Sequence, residues 1–321
     1  NKNEFLPKKE YLDKYREKQK KGEINELSEE ERQEILRKKS SIVTVADKLM
    51  ETLSSEFLEP MAHPIAKQLG LNKEDLDKDG LIPVISEEKK NSENNGILEN
   101  HHTYWIIDPI DSTSNFSKGG NGYSVNMALV HKGEVVWGGI TFPGQQETYY
   151  TGADGKAYLI EGEDKPRKIQ CKKHKSSVSN PRGRIVLEPR STHLGSFQNL
   201  KKAVSPAEVK EMMKQGVDFD DDYHLAKGQR RVCAIARGEA AYSVELTNYR
   251  IWDMFPSMAI LRAAGGDMVK GDGAAVSIED VDIEGFKYHD GPYAMPPYYA
   301  GRKKDLAMIV ENSPELKSRF A

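Results

Sequence analysis

The sequence predicts a mixed α/β (α+β) fold on three observations. An apolar face at helical spacing opens the core region, short β-branched runs bounded by turn residues follow it, and a tight turn joins two apolar stretches in mid-chain. The helical face is carried by Ile42, Val43, Val45, Ala46, Leu49, Met50, Leu53 and Phe57. Residues 81–85 and 104–107 read as buried strands separated by a polar loop at 89–102. Residues 125–130 and 135–142 form a hairpin about Lys132-Gly133, and Pro143-Gly144 closes its second strand. Another strand is expected at 156–160, while 161–180 is too polar for the core and marks a boundary. Beyond it come a strand at 184–188, helices at 207–215 and 231–237, and a helix after Trp252-Asp253.

The expected organisation is a charged helical arm at 1–40, a first half at 41–165 and a second half at 166–321. In the arm, Ser28 and Glu31 form a capping box after Leu27. With 321 residues the chain is long enough to bury roughly 75% of its unfolded surface. Lys and Arg number 47 against 50 Asp and Glu, a net charge of −3, which argues against the basic face that would bind a nucleic-acid polymer. No apolar run approaches the ~18 residues of a membrane span and no secretory leader is apparent, so a cytoplasmic location is expected. Cys171 and Cys233 lie far apart without a CxxC pattern, which predicts two free, mostly buried thiols.

Chemistry concentrates at Trp-Ile-Ile-Asp-Pro-Ile-Asp-Ser-Thr, residues 105–113. A buried strand delivers Asp108 at its carboxyl end, Pro109 is expected to stop that strand, and Asp111 turns back toward the same point. Two carboxylates in one small volume repel unless a cation lies between them, which points to a hard divalent metal with oxygen ligands. Ser112 and Thr113 are natural N-cap residues, so the next helix would aim free amides at this site, a geometry that suits phosphate. The bland alternative is a turn in which the two aspartates only cap.

Residues 105–116, Trp-Ile-Ile-Asp-Pro-Ile-Asp-Ser-Thr-Ser-Asn-Phe, resemble the first signature of the inositol monophosphatase superfamily. Val43-Thr44-Val45-Ala46-Asp47, Ile85-Ser86-Glu87-Glu88, and Trp252-Asp253 followed by Ala263-Ala264-Gly265-Gly266 resemble its other motifs, in order, over roughly residues 41–300. The resemblance implies a five-layered α-β-α-β-α sandwich and a magnesium-dependent, lithium-sensitive phosphomonoesterase. It implies that Glu87, Asp108, the Ile110 carbonyl, Asp111 and Asp253 ligate two or three Mg²⁺ ions, with Li⁺ as an inhibitor. It further implies that Thr113, linked to Asp47, acts with Glu87 to orient the attacking water, while the amides of Ser112 and Thr113 hold phosphate. Two departures stand out. Ser112 replaces a glycine, and Met254-Phe255-Pro256 replace a small residue and a glycine, which leaves a narrowed or inactive site open and puts Pro256 in a first helical turn, where proline is tolerated.

Other motifs weigh less. Asp75, Asp77, Asp79 and Gly80 match the start of a calcium loop, but Ser86 stands where its closing glutamate belongs. The acidic run at 218–222, His101-His102 and the glycines at 119–122 read as loop, and Ser191 with His193 lacks the rest of a catalytic triad.

The partner implied is a small phosphorylated metabolite. Residues 122–133, 155–158 and 233–253 are most similar to the bacterial 3′-phosphoadenosine-5′-phosphate phosphatases, the 3′(2′),5′-bisphosphate nucleotidase branch. In that reading Arg231 meets a second phosphate. The Ser-Asn-Phe ending and Glu245, near a hydroxyl-binding glutamate, instead resemble the inositol branch. Inositol or sugar monophosphate is therefore the second reading and a non-catalytic metal-binding scaffold the third. A homodimer stays open.

Overall fold

A computed structural model describes residues 45–117, 119–173, 185–187, 229–240, 242–245, 249–283 and 292–311. The arm with Ser28, the helix expected at 207–215, the acidic run at 218–222, and Ser191 with His193 lie outside the described residues. The first helix, α1, spans Val45–Leu69. It turns Leu58, Ala62 and Ala66 inward, whereas Leu49, Leu53 and Phe57 are 55%, 46% and 67% exposed. The expected packing face is thus corrected: α1 carries two apolar stripes, and spacing alone does not say which one meets the sheet.

Strand β1, Val84–Ser86, leads into α2, Asn91–Asn100, where the sequence suggested only a loop. Asn91, Asn94, Asn95, Gly96 and Asn100 are poor helix formers, and tertiary bonds override that preference. Buried Asn94 donates Nδ2 to Ser86 O at 2.8 Å and accepts from Ser86 N at 3.2 Å, tying α2 to the end of β1. The Tyr293 hydroxyl donates to Asn91 O at 2.9 Å from the other side.

Strand β2, Thr103–Asp111, is buried on both faces, which explains its unbroken apolar run. It does not stop at Pro109. It runs through to Asp111, and the register with its neighbour shifts between Asp108 and Asp111, the kind of irregularity at which a strand proline is tolerated. Strands β3, Ser124–His131, and β4, Glu134–Phe142, are joined by Lys132 (φ 50°) and Gly133 (φ 80°), the paired positive angles of a two-residue hairpin turn. Strands β5, Glu147–Thr151, β6, Ala157–Glu161, and β7, Arg167–Ile169, complete a seven-stranded sheet in chain order, with only β1 and β2 parallel. Strand β7 corrects the reading of 161–180 as non-core. It is an edge strand that exposes Arg167 and Lys168 and buries Ile169.

The second sheet contains β8, Ile185–Leu187, β9, Tyr242–Glu245, β10, Gly266–Val269, and β11, Tyr298–Arg302, in the order β10-β11-β9-β8. Four further helical elements are α3, the single turn Thr113–Phe116, then α4, Arg230–Ala236, α5, Ile251–Ala263, and α6, Lys303–Glu311. Helix α1 packs on β2, α5 lies on the other face of the first sheet and reaches β10, α4 contacts β9 and β11, and α6 covers β10 and β11. The layers are therefore α-β-α-β-α.

Alternation along β2 distributes the core. Tyr104 and Ile106 join the central cluster that includes Phe255 and Met258 of α5, while Trp105 and Ile107 join Leu58 of α1 on the opposite face. Phe255 is fully buried in that cluster, so its bulk fills the core. Pro256 sits beyond the first turn of α5, not within it, and cannot donate to the carbonyl of Trp252. Helix α5 also lies very close to β4, since a Cβ added at Gly138 would fall 2.3 Å from Pro256 O.

Candidate active site

Strand β2 carries Asp108 and Asp111 to the junction between the first sheet and the start of α5, which contributes Asp253 from its first turn. One carboxylate oxygen from each lies within 4.8 Å of the others. Asp108 is 1% exposed and Asp111 8% exposed, so little water reaches the charge they carry. Each is held by local bonds. Asp108 Oδ1 accepts from Ile110 N at 3.0 Å, and Asp111 Oδ2 accepts the Ser124 hydroxyl at 3.3 Å. Asp253 Oδ2 accepts from Arg250 N at 3.2 Å, locking the entry to α5.

The electrostatics follow from this crowding. Burial first, then the charges of Glu87, Asp111 and Asp253, pushes the Asp108 carboxyl well above its ordinary range. Glu87 as a residue is open to solvent, but protein crowds its carboxyl group. That desolvation, followed by the charges of Glu88 and Asp111, raises its pKa to about 7, with Arg250 opposing. Glu87 is within electrostatic reach of the cluster without belonging to the tight group of three. Asp108 Oδ2 is buried and receives no hydrogen bond from the described residues. Mutually repelling carboxylates with a buried oxygen left over fit a hard divalent cation.

The remaining expected residues are placed as follows. Thr113 Oγ1 lies 2.9 Å from Ile110 O and 3.4 Å from Oδ1 of Asp47, which is itself buried. Helix α3 is one turn long, so any anion grip there comes from individual amides rather than from an extended helix dipole. Ser112 has φ 67°, the left-handed conformation that glycine adopts freely. Its hydroxyl turns to Asp111 Oδ1 at 3.3 Å. Arg231 and Glu245 are both deeply buried. They pair with each other at 2.9 Å, with side chains 1% and 0% exposed.

Ser124 escaped the sequence reading. Its signal was a polar side chain in register with Asp111, on the β3 face that also carries Asn126, Ala128 and Val130. The calcium-loop residues serve local turns: Asp77 Oδ1 accepts from Asp79 N and Leu81 N, each at 2.9 Å, and Asp75 caps Asn72 N. His101 caps the end of α2. Burial pushes the Cys171 thiol up to about 12 and that of Cys233 higher still, which disfavours the thiolate. No helix of the described residues is long and apolar enough to cross a membrane.

Fold and site together define a class: five-layered α/β proteins with a cluster of carboxylates where a sheet strand meets the start of a central helix. The profile of the inositol monophosphatase family matches residues 9–312, and the chain belongs to that family. It is 28% identical over 185 residues to the 3′(2′),5′-bisphosphate nucleotidase CysQ of Buchnera aphidicola, covering 58% of this chain and 61% of that protein. It is 27% identical over 174 residues to the Nus factor SuhB of Xylella fastidiosa, covering 54% and 57%. The chain thus spans less than two thirds of the length of these curated relatives. Among solved structures, the extragenic suppressor protein suhB of Bartonella henselae matches with a TM-score of 0.53 at 18% identity, covering 84% of this chain and 85% of that one.

Proposed function

We propose that the chain is a divalent-cation-dependent phosphatase that hydrolyses a small phosphorylated metabolite, with 3′-phosphoadenosine 5′-phosphate as substrate and AMP and phosphate as products. The observation that carries this reading is the convergence of Asp108, Asp111 and Asp253 within 4.8 Å, with Glu87 in electrostatic reach. These four carboxylates and the Ile110 carbonyl would hold two or three Mg²⁺ ions, for which Li⁺ would compete. When bound, the cations supply positive charge to the phosphate oxygens and acidify the attacking water.

The chain's own residues position the other partners. Thr113, held between Asp47 and Ile110 O, and Glu87 orient the water, whose oxygen adds to phosphorus as the ester P–O bond breaks. The backbone amides of Ser112 and Thr113, at the left-handed turn, would hold the phosphate. In this reading Arg231, paired with Glu245, lies toward the leaving group. Two free cysteines support a reducing, cytoplasmic setting.

The nucleotidase name of the CysQ relative and the similarity of residues 233–253 favour the bisphosphate substrate. The Ser-Asn-Phe ending at 114–116 favours inositol or sugar monophosphate as the second reading. Phosphate release from 3′-phosphoadenosine 5′-phosphate and from inositol phosphate should be compared side by side with Mg²⁺ present and lithium titrated in. A higher kcat/KM on the nucleotide supports the first substrate. Turnover of neither compound, nor of any other small phosphomonoester, would leave the metal-binding scaffold. Asp108→Asn should abolish turnover while leaving the chain folded; retained activity excludes its role as a ligand.

A further inference from the structure

Asn126 is fully buried on β3, and neither its Nδ2 nor its Oδ1 has a hydrogen-bond partner among the described residues. A carboxamide carries two donors and an acceptor, and leaving all of them unmet in a protein interior is unfavourable. Such a group calls for a reason.

Its position supplies one. Asn126 stands directly opposite Asp108 in the β2–β3 register. Side chains of directly opposed residues emerge on the same face of a sheet, with Cβ atoms roughly 4.5–5.5 Å apart. The face is fixed twice over. Ser124, two residues earlier on β3, reaches Asp111 with its hydroxyl, so even-numbered side chains here point toward the carboxylates. Ala128 and Val130, two and four residues later, lie in the cluster packed against α5, the helix that brings Asp253. The carboxamide therefore occupies the carboxylate face. Asp108 Oδ2, also buried, has no donor among the described residues.

We infer that Asn126 is a positioning residue for the cation site. Its Nδ2–H₂ donates to the Asp108 carboxylate, directly or through one water, when that carboxylate is held in its ligating orientation. Without that donor a loaded Asp108 would rely on the Ile110 amide alone and could rotate away from the cation. Groups that orient ligands in this way typically change metal affinity by about 10- to 100-fold when removed. The inference rests on the proposal that Asp108 ligates a divalent cation.

The test is Asn126→Leu, of nearly the same size and without the amide. Mg²⁺ and Mn²⁺ binding is measured by titration calorimetry, and thermal unfolding is measured in chelator and with saturating metal. The expected result is a metal-free Tm equal to or above that of the parent, because an unmet polar group has gone, together with an affinity about 10- to 100-fold weaker. A purely structural role predicts the reverse: a lower metal-free Tm with affinity unchanged. Affinity within twofold of the parent overturns the inference. Should Asn126→Leu fail to fold, Asn126→Ala removes the same amide without added bulk and carries the same two readouts. If the parent chain itself binds neither ion, the proposed function fails rather than the role of Asn126.

Discussion

Arg231 of α4 and Glu245 of β9 form an ion pair of 2.9 Å that is almost wholly shielded from water. Arg231 Nη2 also donates to the Tyr249 hydroxyl. A pair so deep contributes little net stability when intact, because each charge has been stripped of water, but breaking it strands the other charge. Glu245→Gln is therefore expected to destabilise the fold by about 3–5 kcal/mol, read by urea unfolding. The joint replacement Arg231→Met with Glu245→Leu should come back close to the parent. A Glu245→Gln protein of parental stability whose KM alone changes would instead make these residues direct substrate contacts.

Ser112 adopts φ 67° in the turn that links Asp111 to α3. A side chain in the left-handed region costs on the order of 1–2 kcal/mol, offset in part by the extra unfolded-state freedom a glycine would bring. Ser112→Gly should raise stability by about 0.5–1 kcal/mol, and Ser112→Val should lower it by more than that. Thermal unfolding of the two variants gives the signs; a glycine variant less stable than the parent would show that the hydroxyl bond to Asp111 outweighs the strain.

Gly138 lies under α5 so closely that an added Cβ would meet Pro256 O at 2.3 Å and the Ala259 Cβ at 2.8 Å. The obstacles are a helix carbonyl and a buried side-chain stub, neither of which can swing aside. Gly138→Ala should cost about 1–3 kcal/mol or more and displace the helix that carries Asp253, so cation affinity should fall with stability. Parental melting and parental cation binding together would contradict this packing.

Glu87 has a pKa raised from 4.5 to about 7 in the folded protein, chiefly by desolvation and then by Glu88 and Asp111. Between those two values the folded state holds a proton that the unfolded chain has released. The resulting stabilisation of the metal-free protein is complete below 4.5 and is lost as pH rises through about 7. Divalent cations bind the deprotonated carboxylate, so their affinity should rise over the same interval. Unfolding free energies in chelator and Mg²⁺ titrations across this interval should show opposite slopes, and a Glu87→Gln variant should reduce both, Asp108 supplying the remainder. A metal-free stability that climbs with pH in this interval, by more than in the Glu87→Gln variant, would reverse the assignment.

What was legible in the sequence is what neighbouring residues decide among themselves. The β3–β4 hairpin follows from alternating apolar residues around Lys132-Gly133, whereas Asp108 and Asp111 meet through an irregularity within β2 and not through the expected strand end and turn. The ordered motifs that bring in Asp47, Glu87 and Asp253 marked the family and, with it, the layering. The misreadings share a cause. Helix α2 was hidden because its asparagines disfavour helix until Asn94 finds Ser86, and β7 was hidden because a polar edge strand needs to bury only Ile169.

By itself the sequence determined the chemistry available: acidic groups in a fixed order, a Ser-Thr turn beside them, and enough apolar residues at the right periods to build layers. Only the tertiary structure decided which stripe of α1 faces β2, that Phe255 fills the core, that Arg231 and Glu245 spend their charge on each other, and that Asn126 stands opposite Asp108. The physical reason is that periodicity and turn chemistry act over a few residues. Burial, ion pairing and register are settled by which surface arrives from elsewhere in the chain, and a one-dimensional pattern carries no record of that partner.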